Sequence, residues 1–155
     1  MRAAYLASLE QDGPRMLAIY PSVKLSEKSK DKIALRSFTL GALGGEAVTI
    51  RGENFWALAI TNRLEVPGDR PKLVAVGIIA ETEEEIELAE KVIREALAPV
   101  FLKRGVVTVD ELKKALPKVY ENFEKEVARL TQARGPSPKK KSLLERAGEK
   151  AKKAW

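Results

Sequence analysis

The chain has 155 residues, enough for one domain of ordinary size with a real interior. Apolar residues make up 45% and charged residues 32%, a soluble globular balance, and Lys plus Arg exceed Asp plus Glu by 28 to 22, a net charge of +6. There is no Cys and no His, which excludes disulfides, thiolate nucleophiles, Cys or His metal sites and the usual general base of neutral pH.

Residues 3–9 and 15–20 read as strands joined across Glu10-Gln11-Asp12-Gly13-Pro14. Asp-Gly between two short apolar runs is a hairpin signal, because Gly accepts positive φ without a steric penalty. Pro21 ends the second strand. Ser26 is placed to cap a helix over 26–42, with Ile33, Leu35, Phe38, Leu40 and Leu43 as its apolar side. Gly41, Gly44 and Gly45 stop that helix; a phosphate cradle would need them between a strand and a following helix, the reverse of the order here.

Three strands are expected next, over 46–51, 54–62 and 72–80. The runs 55–60 and 73–80 do not alternate, so both faces must be covered and these strands are central. Thr82-Glu83-Glu84-Glu85 predicts a capping box in which Thr82 and Glu85 satisfy each other's amides. Ile86, Ala89, Ile93, Leu97 and Val100 then recur at helical steps. Glutamates in a first turn favour the helix dipole and need no catalytic role. Thr108-Val109-Asp110-Glu111 predicts a second box, followed by the stripe Leu112, Leu116, Val119, Phe123, Val127 and Leu130 with Pro117 inside it, where it is expected to kink the helix.

Charge divides unevenly. From Arg134 onward eight cations face two anions, so the whole excess of +6 falls in the last 22 residues and the body before it sums to zero. The expected organisation is a globular domain over 1–134, a Gly-Pro-Ser-Pro linker over 135–138 and a basic amphipathic tail over 139–155. The tail reads as a helix with Leu143, Leu144 and Trp155 as anchors and Lys139, Lys140, Lys141, Arg146, Lys150, Lys152 and Lys153 as cations. A helix this short is marginal in water and Gly148 weakens it by about 1 kcal/mol, so it needs a surface to settle on. The Pro-rich linker spans only about 12 Å, which keeps the tail close to the body.

The fold class expected is α/β (α+β): a five-stranded antiparallel-type sheet in the order β-β-α-β-β-β-α-α, flanked by helices. That element order, over residues 2–133, resembles the longin or SNARE-like domains, with roadblock and profilin domains as looser neighbours. In that family the first, fourth and fifth strands are central, and here the apolar runs fall in the first, fourth and fifth strands. The resemblance implies an interaction module that dimerises, binds small GTPases or docks on larger assemblies. It carries over no functional residue.

No catalytic constellation stands out. Ser26, Lys28, Ser29, Lys30 and Asp31 cluster, but at a helix start, where Ser and Asp cap. The only acidic cluster, 81–85, shows no facing carboxylate pair. The function expected is therefore a non-catalytic protein-interaction adaptor, with no metal and no cofactor. Body and basic tail would dock on a protein partner such as a small GTPase or a trafficking-like or cytoskeletal assembly. The alternatives are RNA-backbone binding, as in a ribosome-associated protein, and binding to an anionic membrane surface; a homodimer is open to all of them. On a membrane each tail cation near the surface contributes about 1 kcal/mol. On RNA each phosphate contact steepens the salt slope by about 0.7–0.9. The composition, poor in Asn and Gln and rich in Glu, Lys and Arg, fits a thermophile. No apolar run approaches the roughly 18 residues of a membrane span, and the opening residues meet Glu10 and Asp12 too soon for a signal peptide, so a cytoplasmic location is expected.

Overall fold

The computed structural model describes residues 2–38, 45–66, 68–102 and 107–133. The elements are β1 (Ala3–Glu10), β2 (Gly13–Tyr20), α1 (Glu27–Arg36), β3 (Ala47–Arg51), β4 (Trp56–Leu64), β5 (Lys72–Ala80), α2 (Glu84–Leu102) and α3 (Val109–Ala133). The expected order and α+β class are therefore observed. The chain divides within α3 into one unit ending at Phe123 and a second from Glu124 to Trp155. In the second, the described residues are the last turns of α3, where Arg129 pairs with Glu126 at 2.6 Å.

The five strands form one sheet in the order β2-β1-β5-β4-β3, every neighbouring pair antiparallel. The two runs that failed to alternate in sequence, now β4 and β5, are inner strands, and the apolar first strand β1 is the third. Each strand sends alternate side chains to opposite faces. On one face Tyr5, Ala7, Ala57, Ala59, Ala75 and Ile79 join Ile33 and Ala34 of α1 in a buried cluster. On the other, Leu6, Leu58, Ile60, Val74, Val76 and Ile78 are buried, and α2 lies over β4 and β5 with Ile86, Ala89, Ile93 and Leu97 inward. Tyr120 of α3 meets Tyr20 edge-on at 5.7 Å, and Tyr20 sits opposite Ala4 in the ladder, so α3 joins α2 on this second face. Its Leu112, Leu116, Val119 and Phe123 are buried as the stripe predicts.

The α1 face is lined by small residues for a reason. The Tyr5 ring lies across Gly77, its partner in the β1–β5 ladder, and a Cβ at Gly77 would occupy the ring's place. From there Tyr5 donates to Ser37 Oγ at 2.7 Å, and Ser37 donates to the Ile33 carbonyl at 2.7 Å. This buried polar thread ties the end of α1 to a central strand, with every polar atom in it partnered.

Three expectations need correction. Helix α1 spans Glu27–Arg36 with Ser37 as its C-cap, shorter than 26–42; Leu40, Gly41, Leu43 and Gly44 lie outside the described residues. Leu35 is not on its apolar side. At about 100° per residue, Ile33, Ala34 and Ser37 share the inward arc and Leu35 falls opposite, 61% exposed. The Thr82–Glu85 box does not close as expected either. Helix α2 begins at Glu84, and the Glu85 carboxylate is gripped by Arg2 through Nε at 3.1 Å and Nη2 at 2.9 Å while accepting the Glu81 amide at 3.1 Å. The carboxylate is taken by the long-range bidentate pair, because a guanidinium offers two charged donors, and Thr82 meets it through its side chain. The second box closes as drawn: Thr108 N–H reaches Glu111 Oε1 at 3.2 Å, and Glu111 N–H reaches Thr108 Oγ1 at 3.2 Å.

Candidate partner-binding groove

The tail residues expected to bind a partner, Lys139, Lys140, Lys141, Leu143, Leu144, Arg146, Lys150, Lys152, Lys153 and Trp155, all lie outside the described residues. The structure therefore brings none of them together. What the described residues form instead is a groove on the α1 face of the sheet.

Ser26 starts α1, accepting the Ser29 amide at 3.1 Å and donating to Ser29 Oγ at 3.0 Å, so both hydroxyls are spent on the helix start. From that start Lys28, Lys32 and Arg36 follow at intervals of four residues, about 6 Å apart along the axis. They form one wall of a cavity of about 430 Å³, within the range of binding clefts. Leu25, Ile33, Ile50 and Phe55 give it an apolar floor, and the turn from Gly52 to Phe55 closes the far side.

That turn is built around a missing side chain. Gly52 N–H donates to the Phe55 carbonyl at 2.9 Å, and the Phe55 ring packs where a Cβ at position 52 would stand. Arg51 contributes its backbone to the groove. Its carbonyl accepts Arg36 Nη1 at 3.3 Å, while its guanidinium lies 5.3 Å from the Trp56 ring, a residue paired with it across β3 and β4.

Some cations of the body are paired, Arg15 with Asp12 at 2.8 Å, Lys30 with Glu27 at 3.7 Å, Lys72 with Glu10 at 3.0 Å and Arg94 with Glu90 at 3.1 Å, while exposed Lys24, Arg70, Lys113, Lys114, Lys118 and Lys125 are not, among the described residues. Lys28 and Lys32 have no carboxylate within ion-pair reach among the described residues, and Glu53 is the sole acid on the groove's lining. Uncompensated like charges along a concave wall focus a positive potential into it.

The shifted groups are structural. Burial drives the Tyr5 hydroxyl far above its ordinary value, with the Ser37 bond offsetting only part of this, so it stays a neutral donor. The Ser8 hydroxyl and Lys72 hold the Glu10 carboxyl below the usual range. Burial pushes Glu85 up, but the Arg2 pair and the Glu81 amide outweigh it and the carboxyl ends below its ordinary 4.5. Among the described residues no group of three or more acids could hold a metal ion, and no helix is long and apolar enough to cross a membrane.

Sequence reading passed over Lys32, Arg36 and Phe55, and weighed Lys28 only within the cluster at the start of α1. The signal was the cation at every fourth residue of α1. It was masked by summing charge over the body, where acids on α2 cancel it on paper while standing on the other side of the sheet. No protein-family model matches the chain, and no curated protein matches it.

Proposed function

We propose that this protein is a non-catalytic interaction adaptor of the cytoplasm, built on a longin-like body, and that the groove between α1 and the β3–β4 turn receives an acidic, apolar-anchored segment of a protein partner. One observation carries the reading: a row of unpaired cations stands over an apolar floor. Apolar anchors on the floor would supply binding energy and the cations specificity and approach rate. The strand order, with one helix on one face and two on the other, supports the family resemblance, and that class is one of docking modules; the argument from class is analogy. The basic tail adds a second contact in this reading.

The reading is tested by capture from native lysate at two salt concentrations, with and without nuclease. The baits are the full chain, the double variant Lys32→Glu/Arg36→Glu and a chain ending at Arg134. Protein recovered despite nuclease and reduced by both changes is the expected result. Nuclease-sensitive recovery would assign the chain to RNA instead, and recovery untouched by the double variant would remove the groove from the account.

A further inference from the structure

The three cations of the groove wall are not equivalent. Resting on the adaptor reading above, we infer that Arg36 is its specificity-determining residue: the guanidinium takes a carboxylate of the partner side-on, next to the apolar floor, while Lys28 and Lys32 steer the approach.

The argument begins with which donors are spent. Arg36 donates from Nη1 to the Arg51 carbonyl at 3.3 Å, and its Nε and Nη2 have no partner among the described residues. Those two donors form one edge of the planar guanidinium, an edge that matches the two oxygens of a carboxylate. The molecule uses that edge elsewhere: Arg2 holds Glu85 through Nε at 3.1 Å and Nη2 at 2.9 Å. In Arg36, whose side chain is exposed, the same edge is unspent, and Glu53, the one acid on the lining, makes no ion pair with it. Lys28 and Lys32 each offer a compact ammonium on a flexible stem, with no hydrogen bond among the described residues to orient it.

The second step is position. The Arg51 carbonyl that orients Arg36 belongs to the residue before Gly52, and the Phe55 ring packs where a Cβ at position 52 would stand. Ile50, Phe55 and Arg36 line the same cavity. The Arg36 end is therefore where an oriented charge and the apolar floor meet. An acid seated on Arg36 brings an adjoining apolar side chain of its segment to Ile50 and Phe55. The requirement is one acid beside one apolar residue, and it holds for a helical and an extended segment alike.

The test is an NMR titration of the full chain, read at the Arg36 Nε–H signal and at the amide signals of Ile50 and Phe55. Reading named residues keeps contacts with the basic segment after Ala133 out of the result. The probes are short, terminally blocked peptides: one with Glu next to Phe, one with Gln in place of that Glu, and one with phosphoserine there. Arg36→Lys keeps the charge and removes the planar fork; Lys28→Gln/Lys32→Gln removes charge and leaves the fork. The expected result is that the Glu peptide shifts all these signals saturably and is weakened at least about fivefold by Arg36→Lys, and equally by Gln for Glu, at low and raised salt alike. The double lysine variant should lose affinity at low salt only, because screening removes what the lysines add. Unchanged affinity in Arg36→Lys would overturn the assignment to Arg36 while the groove stands. A Gln peptide bound as tightly as the Glu peptide would remove the carboxylate. A phosphoserine peptide bound more tightly than the Glu peptide, and weakened by Arg36→Lys, would overturn the proposal in favour of a phosphate group. Silence of Ile50 and Phe55 toward every peptide would remove the groove itself, and with it the reading on which the proposal rests.

Discussion

The two faces of the sheet are covered in different ways. One carries α2 and the part of α3 up to Phe123, whose inward residues, Ile86, Ala89, Ile93 and Leu97 on α2 and Leu112, Leu116, Val119 and Phe123 on α3, are buried. The other carries a single helix of 10 residues, anchored by a polar thread and leaving an open groove beside it. The first arrangement buries apolar area and stabilises the fold; the second exposes charge and a partly apolar floor at the expense of some of that burial. The same strands serve both faces by alternation: burial concentrates on the closed face, and the open one is left to the groove proposed above to receive a partner.

The largest expected effect tests the closed face. Ile93→Ala removes a fully buried side chain of α2 and should cost about 2–5 kcal/mol in chemical denaturation, leaving peptide affinity of the folded fraction unchanged. Next comes the Arg2–Glu85 pair that joins the start of β1 to α2. Arg2→Ala leaves a buried carboxylate with only neutral partners, the Glu81 amide and the Thr82 side chain, and should destabilise by about 1–3 kcal/mol, toward the lower end because Arg2 is partly exposed. A depressed carboxyl contributes stability that is present above its unfolded value and is lost as pH falls through the folded one. Wild-type stability should therefore drop below pH 4.5, and Glu85→Gln should flatten that slope in denaturation curves run down the pH scale.

Tyr5→Phe lies under the open face and tests whether its anchor matters. Ser37 keeps its bond to the Ile33 carbonyl, so the loss should be near 1 kcal/mol. Thr108→Ala removes one half of a closed capping box for a comparable loss of about 1 kcal/mol. The smallest stability effect belongs to Lys32→Glu/Arg36→Glu, within about 0.5 kcal/mol per site, since both side chains are exposed and neither is ion-paired. A large destabilisation there, or a binding loss from Ile93→Ala at full folding, would break the division between the faces.

Much of the fold was legible because the decisive signals were local. Runs that refused to alternate marked two of the three inner strands, and the Thr108 box needs only four residues to close. The Thr82 box has the same letters and came out differently, because Arg2, 83 residues away in sequence, reaches Glu85 first. Leu35 was misplaced for a related reason: it fits an apolar tally, and only the buried positions of Ile33, Ala34 and Ser37 fix which way the helix faces. The groove was hidden because its walls come from residues 25–36 and 50–55, which nothing in the chain order joins.

The turn from Gly52 to Phe55 carries a consequence for how such a surface can change. Phe55 supplies floor to the groove, yet the turn stands at the margin of the sheet, beyond the ladder pair Arg51–Trp56 that ends the β3–β4 hairpin. Only Glu53 and Asn54, between the interlocked Gly52 and Phe55, are open to exchange there, so variation at those two positions would alter the groove's rim while the interior beneath continues to specify the same architecture.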